Sequence, residues 1–183
     1  VDHRIPMLSL SNAYDNDDLY SWHSRTKKIL GTDNFPMVCE LKYDGVAVTL
    51  QYQNGIFSIG ATRGNGTVGE DVTLNLRTIK SIPLSLQKNY PPRLEVRGEV
   101  YLPRSEFVKL NLERKEQGLE PYSNPRNTAS GSLRQLDPSI TASRHLNIFI
   151  YGLSWSENDM LDSHINTLAY LGKLGFKINP NNK

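Results

Sequence analysis

The 183-residue chain has a single cysteine, Cys39, so it can form no intrachain disulfide and no cysteine-based zinc cluster of its own. An oxidising compartment is therefore not implied. It also lacks a long apolar run. The longest largely apolar stretch, residues 146–155, is far short of the roughly 20 residues that span a bilayer, and Val1 opens neither a signal nor a transit peptide. The reading is a cytoplasmic protein with no membrane partner. Charge of one sign is missing too, because 21 Lys and Arg against 19 Asp and Glu leave a net charge of +2. Bulk charge does not advertise nucleic-acid binding, so any such site must be a local patch. Internal repeats and low-complexity segments are absent, and glycine and proline are scattered instead of pooled in a linker. One continuous domain is expected, and a start at Val1 instead of Met suggests a piece excised from a longer chain.

What is present is a mixed pattern. From Asp15, with Asp18 three residues on, Leu19, Trp22, Thr26 and Ile29 recur at helical spacing until Gly31, which predicts an amphipathic helix. Val46, Val48, Leu50 and Tyr52 alternate up to Asn54-Gly55, and an apolar run resumes at Ile56 to give a hairpin. Further strands are predicted over 94–100 and from Leu146 to Tyr151, with helices from about Arg104 to Gly118 and from Ser163 to Leu174. Hairpins with segregated helices predict an α+β fold with largely antiparallel sheets and flanking helices.

Four stretches could carry chemistry. Extended geometry over residues 38–45 would put Glu40, Lys42 and Asp44 on one face, with Leu41 and Cys39 packed on the other. That is either a solvated strand edge with ion pairs or a nucleophilic Lys42 buried between carboxylates. A lysine attacks only when neutral, and two carboxylates favour the unreactive ammonium, so arginines or a metal must oppose them. The loop over 60–71 has four glycines with Arg63, Glu70 and Asp71: a set of turns, or a phosphate-binding fork. Glu70 and Asp71 would also complement the dipole of a following helix. In the strand Glu95, Arg97 and Glu99 share a face, with Gly98 where a ligand could approach; a structural ladder fits equally. Residues 124–135 hold Arg126 and Arg134 among small polar residues, suited to phosphate contacts or to a polar helix. The four histidines, His3, His23, His145 and His164, form no ligand motif and read as bland.

Taken together these strings resemble the adenylation domain of bacterial NAD-dependent DNA ligases, within the covalent nucleotidyltransferase superfamily of DNA ligases and mRNA capping enzymes. Lys42-Tyr43-Asp44-Gly45 is similar to that superfamily's KxDG motif, and residues 5–12, 61–71, 94–100 and 124–137 resemble the NAD-dependent branch in the same order. The resemblance implies that Lys42 attacks the α-phosphorus of NAD and carries AMP, which passes to the 5′-phosphate of nicked double-stranded DNA in replication and repair. It implies NAD contacts at Ser9, Leu10, Glu40, Arg63 and Glu99, with Tyr151 stacking on adenine and Asp44 binding ribose or assembling the site. Glu70, Arg126 and Arg134 would serve adenylate transfer or nick contact. Magnesium is the expected ion, with no metal ligand assigned in this chain, and the parent would act as a monomer. The resemblance also implies that residues 1–183 are an incomplete adenylation domain, inactive alone. A preceding module for the nicotinamide mononucleotide half, later lysine motifs, an OB-fold and a cysteine zinc module would complete it. Asn65 departs from the family's commoner Asp. A noncatalytic nucleic-acid-binding module and an ATP-dependent ligase are the alternatives.

Overall fold

Asn54-Gly55 does what its residue types dictate: both take positive φ, 49° and 77°, the left-handed pair that a two-residue hairpin turn needs. In this computed structural model, which describes residues 1–87, 89–157 and 161–183, the turn joins β1 (Val46–Gln53) to β2 (Ile56–Thr62). β1 also pairs with β3 (Arg93–Tyr101), and β3 with β4 (Asn147–Ser156), giving an antiparallel sheet of order β2-β1-β3-β4. The α+β expectation with a largely antiparallel sheet holds.

The period of two divides this sheet into an apolar and a chemical face. Val48, Leu50 and Tyr52 of β1, Leu94, Val96 and Val100 of β3, and Ile148 and Ile150 of β4 are buried in one cluster. They meet Leu76 of α2 (Thr73–Leu76), Leu133 of α4 (Pro125–Leu133) and Leu171 of α6 (His164–Lys173). Between these elements run α3 (Arg104–Glu116) and the short α5 (Pro138–Ser143). The alternate positions, Glu95, Arg97, Glu99 and Tyr101 of β3 with Phe149 of β4, lie on the opposite face. α1 (Asn16–Leu30) forms as its caps predict: Asp15 accepts from the Asp18 N–H, and Gly31 closes it at φ 67°. None of its residues is buried, and Leu19, Trp22 and Ile29 stand in solvent.

Three expectations fail here. Residues 36–44 enter no strand ladder, so the alternation that would pack Leu41 and Cys39 has nothing to act against; Leu41 is 59% exposed and Cys39 is exposed. β4 does not end at Tyr151-Gly152 but continues to Ser156, because two bulges absorb the mismatch with β3. Gly98 does not open a path for a ligand. It falls on the core face, where a Cβ would meet Ile150 Cδ1 at 2.6 Å and the Phe149 carbonyl at 2.8 Å. We therefore expect Gly98→Ala to destabilise the fold by about 1 to 3 kcal/mol through overpacking, read as a lower urea midpoint. A midpoint equal to the parent's would show that the strand pair gives way.

Candidate active site

Arg63 is positioned by two segments laced together. β2 hands the chain on through Arg63 N–H to the Ala47 carbonyl at 3.0 Å, and the loop then folds back so that Thr62 N–H donates to Glu70 O at 3.0 Å. Gly64 takes φ 54° and a Cβ there would lie 1.9 Å from the Val68 carbonyl, so this glycine closes the loop on itself. Asn65 Oδ1 accepts from Thr67 N–H at 3.0 Å, Thr67 Oγ1 at 2.9 Å and Val68 N–H at 2.9 Å. Acceptor capacity is all those bonds need, and an amide carbonyl supplies it as a carboxylate would. The N-terminal segment docks on the same loop through His3 N–H to Thr67 O and Met7 N–H to Gly66 O, both 2.8 Å. That brings Ser9 Oγ within 3.1 Å of Arg63 Nη1, and His3 Nε2 within 3.1 Å of the Arg63 carbonyl. Leu10, next along, is exposed.

The Lys42 segment is fixed by its aromatic residue. Tyr43 stacks on Phe149 at 4.7 Å between centroids, Phe149 stacks on Tyr101 at 5.5 Å, and Lys177 Nζ sits 4.5 Å from the Phe149 centroid. Burial pushes the Tyr43 phenol above its usual range. Gly45 is pressed against β3, where a Cβ would lie 2.1 Å from the Val100 carbonyl. Lys42 is exposed, not buried between carboxylates as its spacing suggests. Glu40 and Asp44, expected to share its face, turn to separate partners. Asp44 Oδ1 pairs with Arg126 Nη1 at 3.2 Å. Glu40 Oε2 lies 2.8 Å from His164 Nε2, and Glu40 Oε1 accepts from Asn182 Nδ2 at 3.3 Å. Glu99 from β3 completes the group: burial raises its carboxyl above the ordinary range, while the Gly45 N–H, Lys42, Arg126 and Arg63 pull it down. Arg63 and Arg126 thus act on the same carboxylate as Lys42. Glu70 pairs with Arg134 at 2.6 Å, one residue beyond α4.

Tyr151 owes its direction to a bulge. β3 residues Arg97 and Gly98 pair with Gly152 and Ile150, so Tyr151 is the extra residue between them, and Ser154 is extra in the same way at Glu95 and Val96. Extra residues leave the ladder and re-aim their side chains. Both line a cavity of about 530 Å³, with Arg97, Ile5, Ser163 and His164 on its walls. The Tyr151 phenol is pushed up to about 12, chiefly by burial and then by Glu99. Ser154 Oγ and Arg97 Nε are buried without a hydrogen-bond partner, while Arg97 Nη2 donates to the Ile5 and Pro6 carbonyls. These orphaned polar atoms beside an aromatic wall suit a flat, polar ligand such as a nucleoside. Among the described residues no group of three or more His, Cys, Asp or Glu gathers to hold a metal ion. Nor, among them, is any helix long and apolar enough to cross a membrane.

The placement of His164 and Lys177 beside the Lys42 segment was not legible in the sequence, whereas Arg97 was singled out there with Glu95 and Glu99 on one strand face.

A profile of the NAD-dependent DNA ligase adenylation domain matches residues 1–183. The chain is 55% identical over 184 residues to a DNA ligase of Dehalococcoides mccartyi, covering 100% of this chain and 27% of that protein. It is 52% identical over 180 residues to a DNA ligase of Caldicellulosiruptor bescii, covering 98% and 26%. A DNA ligase of Bacillus cereus is 51% identical over 183 residues, covering 100% and 27%. The chain thus spans about a quarter of the length of the relatives it matches.

Because the folded-state carboxyl of Glu99 is raised, its contribution to stability is present below the ordinary value of 4.5 and is lost as pH rises through the raised value. Glu99→Gln removes that loss. Relative to the parent, it should be as stable or more so at neutral pH, and the difference should shrink as pH falls below about 4, in urea titrations across pH. A difference that grows on acidification would reverse the assignment.

Proposed function

The chain belongs to the family of NAD-dependent DNA ligase adenylation domains, and from that premise we propose that its parent enzyme seals nicks in double-stranded DNA at the expense of NAD, with Lys42 as nucleophile. The observation that carries this reading is the convergence of Lys42, Glu99, Arg63 and Arg126 beside the cavity bounded by Tyr151 and Arg97. A pure binding surface needs the arginines but not a lysine beside the half-buried Glu99 carboxylate.

In the proposed reaction the adenosine half of NAD occupies that cavity, with Tyr151 stacked on adenine and Ser9, Leu10, Glu40, Arg63 and Glu99 as its further contacts. Neutral Lys42 Nζ attacks the α-phosphorus, its P–O bond to nicotinamide mononucleotide breaks, and the ammonium proton is lost to solvent. The lysyl-AMP phosphoramidate remains. A 5′-phosphate at the nick then takes the adenylate from Lys42, and the 3′-hydroxyl displaces AMP to close the strand. Phosphoryl transfer leaves the protein chiefly to position the reactants and to place cations near the developing charge. We assign that work to Arg63, which donates to Ser9, and to Arg126, which Asp44 holds. Arg134, held by Glu70, is assigned to nick contact with Arg126.

The described residues form no carboxylate cage for magnesium, and we assign that ion to the phosphates and water, with no protein ligand in this chain. We further propose that residues 1–183 are part of an adenylation domain in a longer monomeric ligase working in the bacterial cytoplasm.

Three outcomes test the proposal. Full-length ligase incubated with adenine-labelled NAD should acquire an acid-labile label that maps to Lys42, absent from Lys42→Ala and from Lys42→Arg, whose guanidinium is never neutral. Label on a different lysine overturns the assignment. Sealing of nicked duplex should proceed with NAD and fail with ATP, and sealing by ATP alone would move the enzyme to another branch. Arg126→Ala and Arg134→Ala should each weaken nick binding and reduce the slope of log affinity against log salt by about 1. An unchanged slope would leave both arginines as braces for Asp44 and Glu70.

A further inference from the structure

We propose that His164 is a positioning residue that holds the Glu40 carboxylate ready for the nucleotide, an inference that rests on the site taking NAD. His164 is the first residue of α6, whose start is fixed by the Ser163 side chain accepting from Asn166 N–H. Leu168 and Leu171, both buried, anchor the helix. The imidazole is therefore carried by an element of the core, whereas Glu40 lies on a stretch without a ladder. His164 Nε2 meets Glu40 Oε2 at 2.8 Å, and Asn182 Nδ2 meets Oε1 at 3.3 Å. The backbone is pinned at the same place by reciprocal bonds between Cys39 and Lys183, 2.7 and 3.1 Å. Both carboxylate oxygens are thus held.

Without those partners a glutamate on irregular backbone would lose side-chain freedom each time a ligand recruited it. An ionised carboxylate has about four acceptor positions, so two bonds leave capacity for an amine or hydroxyl of the nucleotide. His164 also forms part of the cavity wall with Tyr151 and Arg97. It thereby ties the cavity to a carboxylate two residues before Lys42. The consequence belongs to binding, not to the attack itself.

The test measures KM for NAD and the saturating single-turnover rate of lysyl-AMP formation in full-length ligase, with calorimetric binding of AMP beside them. His164→Ala and His164→Leu should raise KM roughly five- to tenfold, a range discounted for the pair's partial exposure, with the saturating rate within about twofold of the parent. His164→Gln, which can return an N–H near the Nε2 position, should recover most of the loss. Glu40→Ala should raise KM at least as much, and adding His164→Ala to it should change nothing further. Parent-like KM in both His164 variants, failure of Gln to rescue, or multiplied effects in the double variant would each overturn the proposal. An enzyme that forms no adduct from NAD yet binds AMP with the same coupling between His164 and Glu40 would sink the ligase reading and keep the positioning role. AMP binding indifferent to His164 would sink the role itself.

Discussion

The stack of Tyr43 on Phe149 is the contact on which the site depends. Residues 36–44 have no strand partner, so the location of Lys42 is set by what grips its neighbours. Tyr43 is held at 4.7 Å from Phe149 on β4, and Gly45 fits against the Val100 carbonyl of β3 as only a residue without a Cβ can. Aromatic pairs of this kind contribute about 0.5 to 1.5 kcal/mol beyond their buried area. The Lys177 ammonium above Phe149 adds a cation–π contact to the same stack. A half-buried anchor thus carries an exposed lysine: Tyr43 turns into the aromatic stack, and Lys42 and Asp44 on either side stay in solvent.

The sheet supplies the second half of the arrangement. Its apolar face is continuous across β1, β3 and β4, which fixes register, because a slip of one residue would turn Arg97 and Glu99 into the core. Register then decides chemistry. Glu99 comes opposite Ala47 and Phe149, close enough to the Lys42 segment for the Gly45 N–H and Lys42 to act on it. The two bulges between β3 and β4 break this order locally, and the residues they release, Tyr151 and Ser154, line the cavity. Regular pairing builds the frame, and its irregularities build the pocket.

How much of this was legible follows from the range over which each signal acts. The Asn54-Gly55 turn, the Asp15 cap and the Gly31 stop are decided within a few residues, and all were readable. The alternation around Lys42 was readable as a pattern but misled, since alternation buries a face only where a sheet exists to receive it. Gly98 misled for the opposite reason: it lies in a true strand, on the face that meets Ile150. The bond between His164 and Glu40 joins residues 124 apart in sequence, and no local spacing announces it. Asn65 was readable only as a departure; the loop geometry explains it, since its carbonyl does the work.

The pairing of the arginines bears on how a site with so many carboxylates could take the phosphate of the proposed reaction. Arg126 is held by Asp44 and Arg134 by Glu70, and all four side chains are at least half exposed, between 50% and 78%. Exposed ion pairs of this kind are worth about 0 to 1 kcal/mol. A phosphate offers the same guanidinium a bidentate acceptor with more charge, so exchanging a carboxylate for a phosphate costs little and returns more. On the proposed function the carboxylates would therefore not block the arginines but hold them in place for a phosphate. Glu99 differs because it is half-buried and raised by desolvation. With Lys42, Arg63 and Arg126 all drawing it toward the ionised form, its charge depends on the same cations that a bound phosphate would draw on, so phosphate binding and the protonation of Glu99 are coupled through shared partners.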